Sequence, residues 1–329
     1  TLPLDKTLRP PPASRVLRAA AHLLLDLRAG TTTARVLGEH DDLDFAVKNA
    51  VDEGVIPGPR ILPGGKAARP TFGHGHMGTP VNGADNVRTL VRENLLRGAT
   101  QIKLFVGGGV SETNSDLLGC YYTPQEIVAG VDEARRAGRP VAAHLKGGPG
   151  VRLCVEAGVD SIEHGYLLTD DDMALMQAHG TWLGATPLNL LHPRGMSPAT
   201  LEDPTIAAKY RTARESLRTV YRKAVQNGLR WVTSSDARHG YLPHGVLLMV
   251  ELGATPMDAI LSVTRWPAEL ARVADTAGTL EPSKYADIIS VRGNPLEDPS
   301  AMTRVHLVMK GGRRYDTEDL FGWVSSSYQ

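Results

Sequence analysis

The apolar positions of this chain change period along its length. Over residues 13–29 they recur every three to four places, with Val16, Leu17, Ala20, Leu24 and Leu27 on one face. That spacing predicts an amphipathic helix, and Gly30 stops it. Residues 31–37 are rich in β-branched side chains and predict a strand. A helix over 41–54 opens on Asp41, a strand covers 60–63, and a long loop, 64–83, carries His74 and His76 before a helix at 84–98. The stretch 101–106 reads as a strand again, with Ile102, Leu104 and Val106 on one face and Gln101, Lys103 and Phe105 on the other. Thr123-Pro-Gln-Glu126 is a capping box that opens the next helix.

From there the units are compact. Strands at 141–144, 161–164, 182–186 and 230–236 alternate with helices at 147–157, 169–179 and 204–227, and two more helices follow at 244–253 and 256–273. The pattern then changes. Residues 286–291 and 304–309 read as two strands of a small sheet, joined by the turn at 293–295. Residues 1–12 are extended and proline-rich, and 316–329 read as a tail.

Alternating strands and helices imply an α/β fold with a parallel sheet and right-handed crossovers. A closed (β/α)8 barrel needs eight strands. Seven are visible here, and the first helix has no strand before it. The expected organisation is a TIM-like barrel over 1–275 with its first strand absent, a C-terminal part of a β-sandwich over 276–315, and the tail.

Four strands carry one polar residue at or near their C-terminal ends, where barrel enzymes place their chemistry. These are Lys103, His144, His164 and Asp236. Two imidazoles and a carboxylate suit a divalent metal such as zinc. A lysine ammonium cannot bind a metal. Desolvated, its pKa falls and the neutral amine can add carbon dioxide. The carbamate could bridge two ions, and Asp236 could hold one of them and take a proton from the attacking water.

Taken singly, each residue has a plainer role open to it. Lys103 could be salt-bridged, either histidine could be packed in a core, and Asp236 could cap a helix. Their shared placement favours the metal site. His74 and His76 are open between loop polarity and substrate contact. Tyr121 and Tyr122 are open between loop packing and binding a substrate carboxylate or carbonyl, and Arg35 between binding a carboxylate and a structural ion pair. The run Gly107-Gly-Gly109 is not a phosphate fingerprint.

Composition narrows the function. With 36 basic and 36 acidic residues among 329, there is no electrostatic case for nucleic acid or an anionic membrane. The two cysteines form neither a disulfide framework nor a zinc knuckle. No apolar run is long enough to span a bilayer, so a cytoplasmic enzyme is the expectation.

Together the stretches 27–35, 54–60, 73–75, 102–103, 143–144, 162–165, 235–236, 244–245, 278–287 and 293–298 resemble the amidohydrolase superfamily. Within it the likeness is to the imidazolonepropionase-like and Xaa-Pro dipeptidase-like branch. The resemblance implies a metal-bearing barrel beside a small β-sandwich. It makes Lys103 a carboxylated bridging ligand, His144 and His164 ligands of one metal, and Asp236 ligand and general base. It also places His244 near the substrate.

The family opens with a strand ending in His-x-His, which holds the other metal and is not seen here. His74-Gly-His76 has that spacing but lies after the third strand. The expectation is either a separate N-terminal polypeptide carrying His-x-His or a half-lost metal site. The expected activity is hydrolysis of an amide C–N bond in a peptide-like or cyclic amide substrate by a metal-activated hydroxide, with one or two ions. A deaminase or other hydrolase on the same scaffold is the first alternative, and a non-catalytic subunit the second. A homo-oligomer is expected.

Overall fold

The computed structural model describes residues 11–315 except His40 and Ala237. The extended segment expected over 1–12 lies outside these residues up to position 10, and the tail at 316–329 lies outside them altogether.

The strands are β1 (Thr33–Arg35), β2 (Arg60–Leu62), β3 (Ala68–Arg69), β4 (Thr79–Pro80), β5 (Ile102–Phe105), β6 (Val141–Leu145), β7 (Ser161–His164), β8 (Trp182–Ala185) and β9 (Trp231–Thr233). All pairings among them are parallel, with β1 beside β2 and the others in the order β4-β3-β5-β6-β7-β8-β9. Helices cover the outside, as the alternation requires. Gln101 ties the two groups together. Its side-chain amide donates to the carbonyls of Val36 and Leu62, 2.7 Å each, while Thr100 N reaches Pro63 O at 2.8 Å. This is the parallel α/β barrel of the TIM type. Among the described residues no strand pairs with the outer edges of β1 and β9.

The main core lies between strands and helices, with Ile102, Leu104, Val141, Ala143 and Ile162 packed on Val87, Ile127, Val151 and Met173. The capping box forms as expected, with Thr123 Oγ1 accepting from Glu126 N at 3.4 Å and the Glu126 carboxylate accepting from Thr123 N at 2.8 Å.

Several elements differ from the sequence reading. In the first helix, Pro12–Arg28, the buried side chains are Leu23, Leu24 and Leu27, while Leu17 stands exposed. The loop 64–83 contains β3 and β4, too short to show periodicity. Asp41 does not open the second helix, Leu43–Asp52. Asp44 instead turns inward and accepts from the backbone amides of Gly64 and Gly65. The single helix expected at 256–273 is two, Pro256–Leu261 and Arg265–Leu270. Pro267 explains the break, since it has no N–H to bond the carbonyl of Val263 and is tolerated only in the first turn of a helix, where it sits in Arg265–Leu270.

The C-terminal sheet has three antiparallel strands rather than two: β10 (Ile288–Val291), β11 (Val305–Lys310) and β12 (Arg313–Tyr315). The third strand, Arg-Arg-Tyr, is short and charged and shows no apolar alternation. Val308 and Tyr315 of this sheet bury Leu27 of the first helix, so that helix bridges sheet and barrel.

Candidate active site

Inside a parallel barrel, register decides which side chains meet. Phe105 pairs with His144 and His144 with Glu163, while Lys103 lies one pleat earlier on the same face as Phe105. Strict alternation would turn His164, next to Glu163, toward the outer helices. His164 instead has φ +78°, a left-handed conformation rare outside glycine. That twist lets Glu163 and His164 both serve the interior. Its imidazole then lies 4.5 Å, centroid to centroid, from that of His144.

Each imidazole is held from one side. Gly108 O lies 3.1 Å from His144 Nε2, and Thr186 Oγ1 lies 2.9 Å from His164 Nδ1. Tyr166 steadies Thr186 through a 2.6 Å hydroxyl contact. Burial keeps both imidazoles well below their ordinary pKa, and Lys146 adds to the effect, so both are neutral and carry free lone pairs at pH 7. Asp236, also at positive φ, brings Oδ2 to 3.9 Å from His164 Nδ1 and accepts a hydrogen bond from Asn189.

Lys103 is buried, and desolvation lowers its pKa to about 8 against the opposing pull of Glu163 and Asp236. Burial alone would raise Glu163, but Arg35 and Lys103 outweigh it and hold that carboxyl below its usual range. Arg35 reaches Glu163 Oε1 at 2.8 Å, the structural ion pair left open from sequence. Gly184 makes room for this carboxylate, since a Cβ there would lie 1.8 Å from Glu163 Oε2.

The structure brings His74 to the same cluster, 4.4 Å from the His144 ring. The glycine run serves this approach. A Cβ on Gly109 would lie 2.1 Å from the His74 ring, so only glycine admits it. His76 points away to solvent and meets Glu112 at 2.7 Å. Tyr121 is engaged in its own loop, its hydroxyl accepting from Asp116 N at 2.6 Å. Tyr122 is buried in the main core and donates to Val81 O at 3.1 Å. His244 is in the helix Leu242–Glu251, beside His192 and Tyr241.

Sequence reasoning missed Lys146, Glu163 and Asn189. Lys146 is fully inside, its Nζ 4.7 Å from the centre of the Tyr166 ring, with its pKa pushed well down by burial. It lies two residues after His144, so carrying strand alternation one step past the end of that strand would have pointed to it.

The amidohydrolase family model matches residues 10–315. The chain belongs to the amidohydrolase family. It is a hydrolase acting on carbon–nitrogen bonds. It is 27% identical over 350 aligned positions to ochratoxinase of Aspergillus niger, covering 95% of this chain and 71% of that protein. A solved Xaa-Pro dipeptidase with methionine bound in its active site superposes with a TM-score of 0.85 at 29% identity, over 95% of this chain and 82% of that one. The solved A. niger ochratoxinase gives 0.82 at 26%, over 94% and 77%.

Members of this family generally use divalent metals. Among the described residues no three or more His, Cys, Asp or Glu side chains are gathered as a ready metal site. The donor chemistry nonetheless suits a cation, with two neutral imidazoles at adjacent strand ends and a carboxylate 3.9 Å from one of them. Among the described residues no helix is long and apolar enough to cross a membrane.

Proposed function

We propose that the protein is a metal-dependent amidohydrolase of the cytoplasm that cleaves an amide C–N bond in a peptide-like or cyclic amide substrate. The observation that carries this reading is the pair His144 and His164, neutral and 4.5 Å apart, between buried Lys103 and Asp236. Likeness to a Xaa-Pro dipeptidase supports the peptide-like substrate.

His144 and His164 would hold the cation, with Asp236 and a carbamate on Lys103 as oxygen donors. When bound, a divalent ion such as zinc lowers the pKa of water and polarises a carbonyl oxygen. The remaining work falls to the chain itself. With a pKa of about 8, Lys103 carries roughly one neutral amine in ten at pH 7, the form that adds carbon dioxide and releases a proton. Asp236, with 44% of its side chain exposed, is open to the reacting water. It takes the water's proton and delivers it to the leaving nitrogen, while Asn189 fixes one of its oxygens. The Lys146 side chain, set among the imidazoles, makes their protonation costly and keeps them available. His74 and His244 would be substrate contacts, and Tyr121 would reach substrate only by leaving Asp116.

The test is hydrolysis of a dipeptide and N-acyl amino acid panel by the purified protein with and without added zinc. Metal-stimulated release of free amine supports the reading, and none with any ion rejects it. Among the described residues no three such donors are gathered, which favours a second reading within the family, a binding chain whose metal site is incomplete. Substrate binding without turnover under every metal condition would select it.

A further inference from the structure

The hydrogen-bond ladder between β7 and β8 is interrupted at the strand ends, and a side chain from outside the sheet fills the gap. The two strands are in parallel register, Ser161 with Trp182, Ile162 with Leu183 and Glu163 with Gly184. Trp182 N donates to Asp160 O at 2.9 Å. A parallel ladder repeats that bond every two residues, so the rung after Gly184 would run from Thr186 N to His164 O. The Tyr221 hydroxyl stands in that rung instead, accepting from Thr186 N at 3.0 Å and donating to His164 O at 2.5 Å. A phenol supplies one acceptor and one donor, the two groups that the open rung requires. Tyr221 comes from the helix Pro204–Gln226 and is fully buried in the main core. Burial raises its pKa, so the hydroxyl keeps its proton.

The consequence falls on His164. A φ of +78° takes it off the strand path, and a carbonyl that leaves the ladder inside a core needs another partner. Tyr221 supplies that partner. The same hydroxyl holds Thr186, whose Oγ1 lies 2.9 Å from His164 Nδ1. Backbone and imidazole of His164 are thus fixed from one atom. On the β6 side the ladder continues, with Gly165 N donating to Leu145 O at 3.0 Å.

We infer that Tyr221 is a positioning residue: its hydroxyl replaces one rung of the β7–β8 ladder and holds His164 in the left-handed conformation that turns its imidazole into the barrel. What this does for function rests on the reading of His164 as a ligand of the cation.

NMR of the histidine ring nitrogens in metal-free protein tests it without turnover. The His164 signals are assigned by their loss in His164→Gln. Tyr221→Phe should move them. The control Tyr210→Phe removes a hydroxyl of the same helix that donates to Leu190 O at 3.0 Å, and it should leave them in place. Zinc affinity, measured by competition with a chelator, should fall about 10- to 100-fold in Tyr221→Phe, the usual cost of removing a group that orients a ligand, and stay unchanged in Tyr210→Phe. His164 signals at their wild-type positions in Tyr221→Phe, an equal displacement in both variants, or a wild-type zinc affinity kept by Tyr221→Phe would overturn the inference. Should Tyr221→Phe not fold, the wild-type protein decides: nuclear Overhauser contact between the Tyr221 hydroxyl proton and the Thr186 amide supports the bridge, and its absence overturns it. The metal site is scored separately: moved His164 signals in a protein whose wild type binds no zinc remove the metal reading and leave the positioning by Tyr221 standing.

Discussion

Arg35 and Glu163, 128 residues apart in sequence, form an ion pair of 2.8 Å inside the barrel, with Ser161 Oγ donating to the same Glu163 oxygen at 2.5 Å. The pair binds β1 to β7 across the interior, and its Glu163 partner sets a negative charge near Lys103. Removing one partner leaves a buried charge without compensation. Arg35→Gln should therefore lose about 3–5 kcal/mol of stability in urea unfolding. A loss below about 1 kcal/mol would show that the pair is better solvated than its burial implies.

Gly184→Ala tests the same feature from the other side. The added methyl meets the Glu163 carboxylate, so either the strand shifts or the pair opens. The expected cost is about 1–3 kcal/mol, the usual range for overpacking. Unchanged stability in thermal unfolding would contradict the close approach.

How much of this was legible in the sequence can be argued from single residues. Lys103, His144 and His164 were readable because a polar residue in an apolar strand is conspicuous and barrel topology gives strand ends a common location. Lys146 and Glu163 obey the same logic but were passed over, because Lys146 sits beyond the apolar run and Glu163 adjoins a histidine that drew the attention. The left-handed twist at His164 has no sequence signal. Arg35 needed its partner to be known before it could be assigned. Tyr121 and Tyr122 looked alike in sequence, yet the fold sends one into a loop hydrogen bond and the other into the core. Pro267 carried a signal for the break before Arg265 that the single-helix reading passed over, and the third C-terminal strand had none, because two exposed arginines and one buried tyrosine are too few to show alternation.

His22 gives a pH prediction outside the site. It stacks on His239 with ring centroids 4.3 Å apart. Burial lowers its pKa to about 4, with His239 and Arg18 adding to the effect and Asp26 opposing it. The folded protein thus binds this proton less readily than the unfolded chain, whose histidine titrates near 6.5. Its contribution to stability is fully present above about pH 6.5 and is lost as the pH falls toward 4. The melting temperature should drop over that window, and His22→Gln should make the drop shallower. An identical pH profile in the variant would remove His22 from the account.

Asp236→Asn keeps the shape of the side chain and removes its basicity. Turnover should fall about 10²- to 10⁴-fold, the usual contribution of a general base, with the fold intact by circular dichroism. Lys103→Ala should be inactive and regain part of its turnover with added short carboxylic acids, which replace the carbamate. Wild-type turnover in Asp236→Asn, or no rescue of Lys103→Ala by any acid, would each take that residue out of the mechanism.

The central claim is that His144 and His164 hold a catalytic cation, and elemental analysis of the purified protein tests it most directly. The wild-type protein should carry one or two divalent ions per chain, and the double variant His144→Ala/His164→Ala should carry none while remaining folded. Metal content unchanged by the double substitution, or a wild-type protein that hydrolyses amides with no ion bound, would contradict the account.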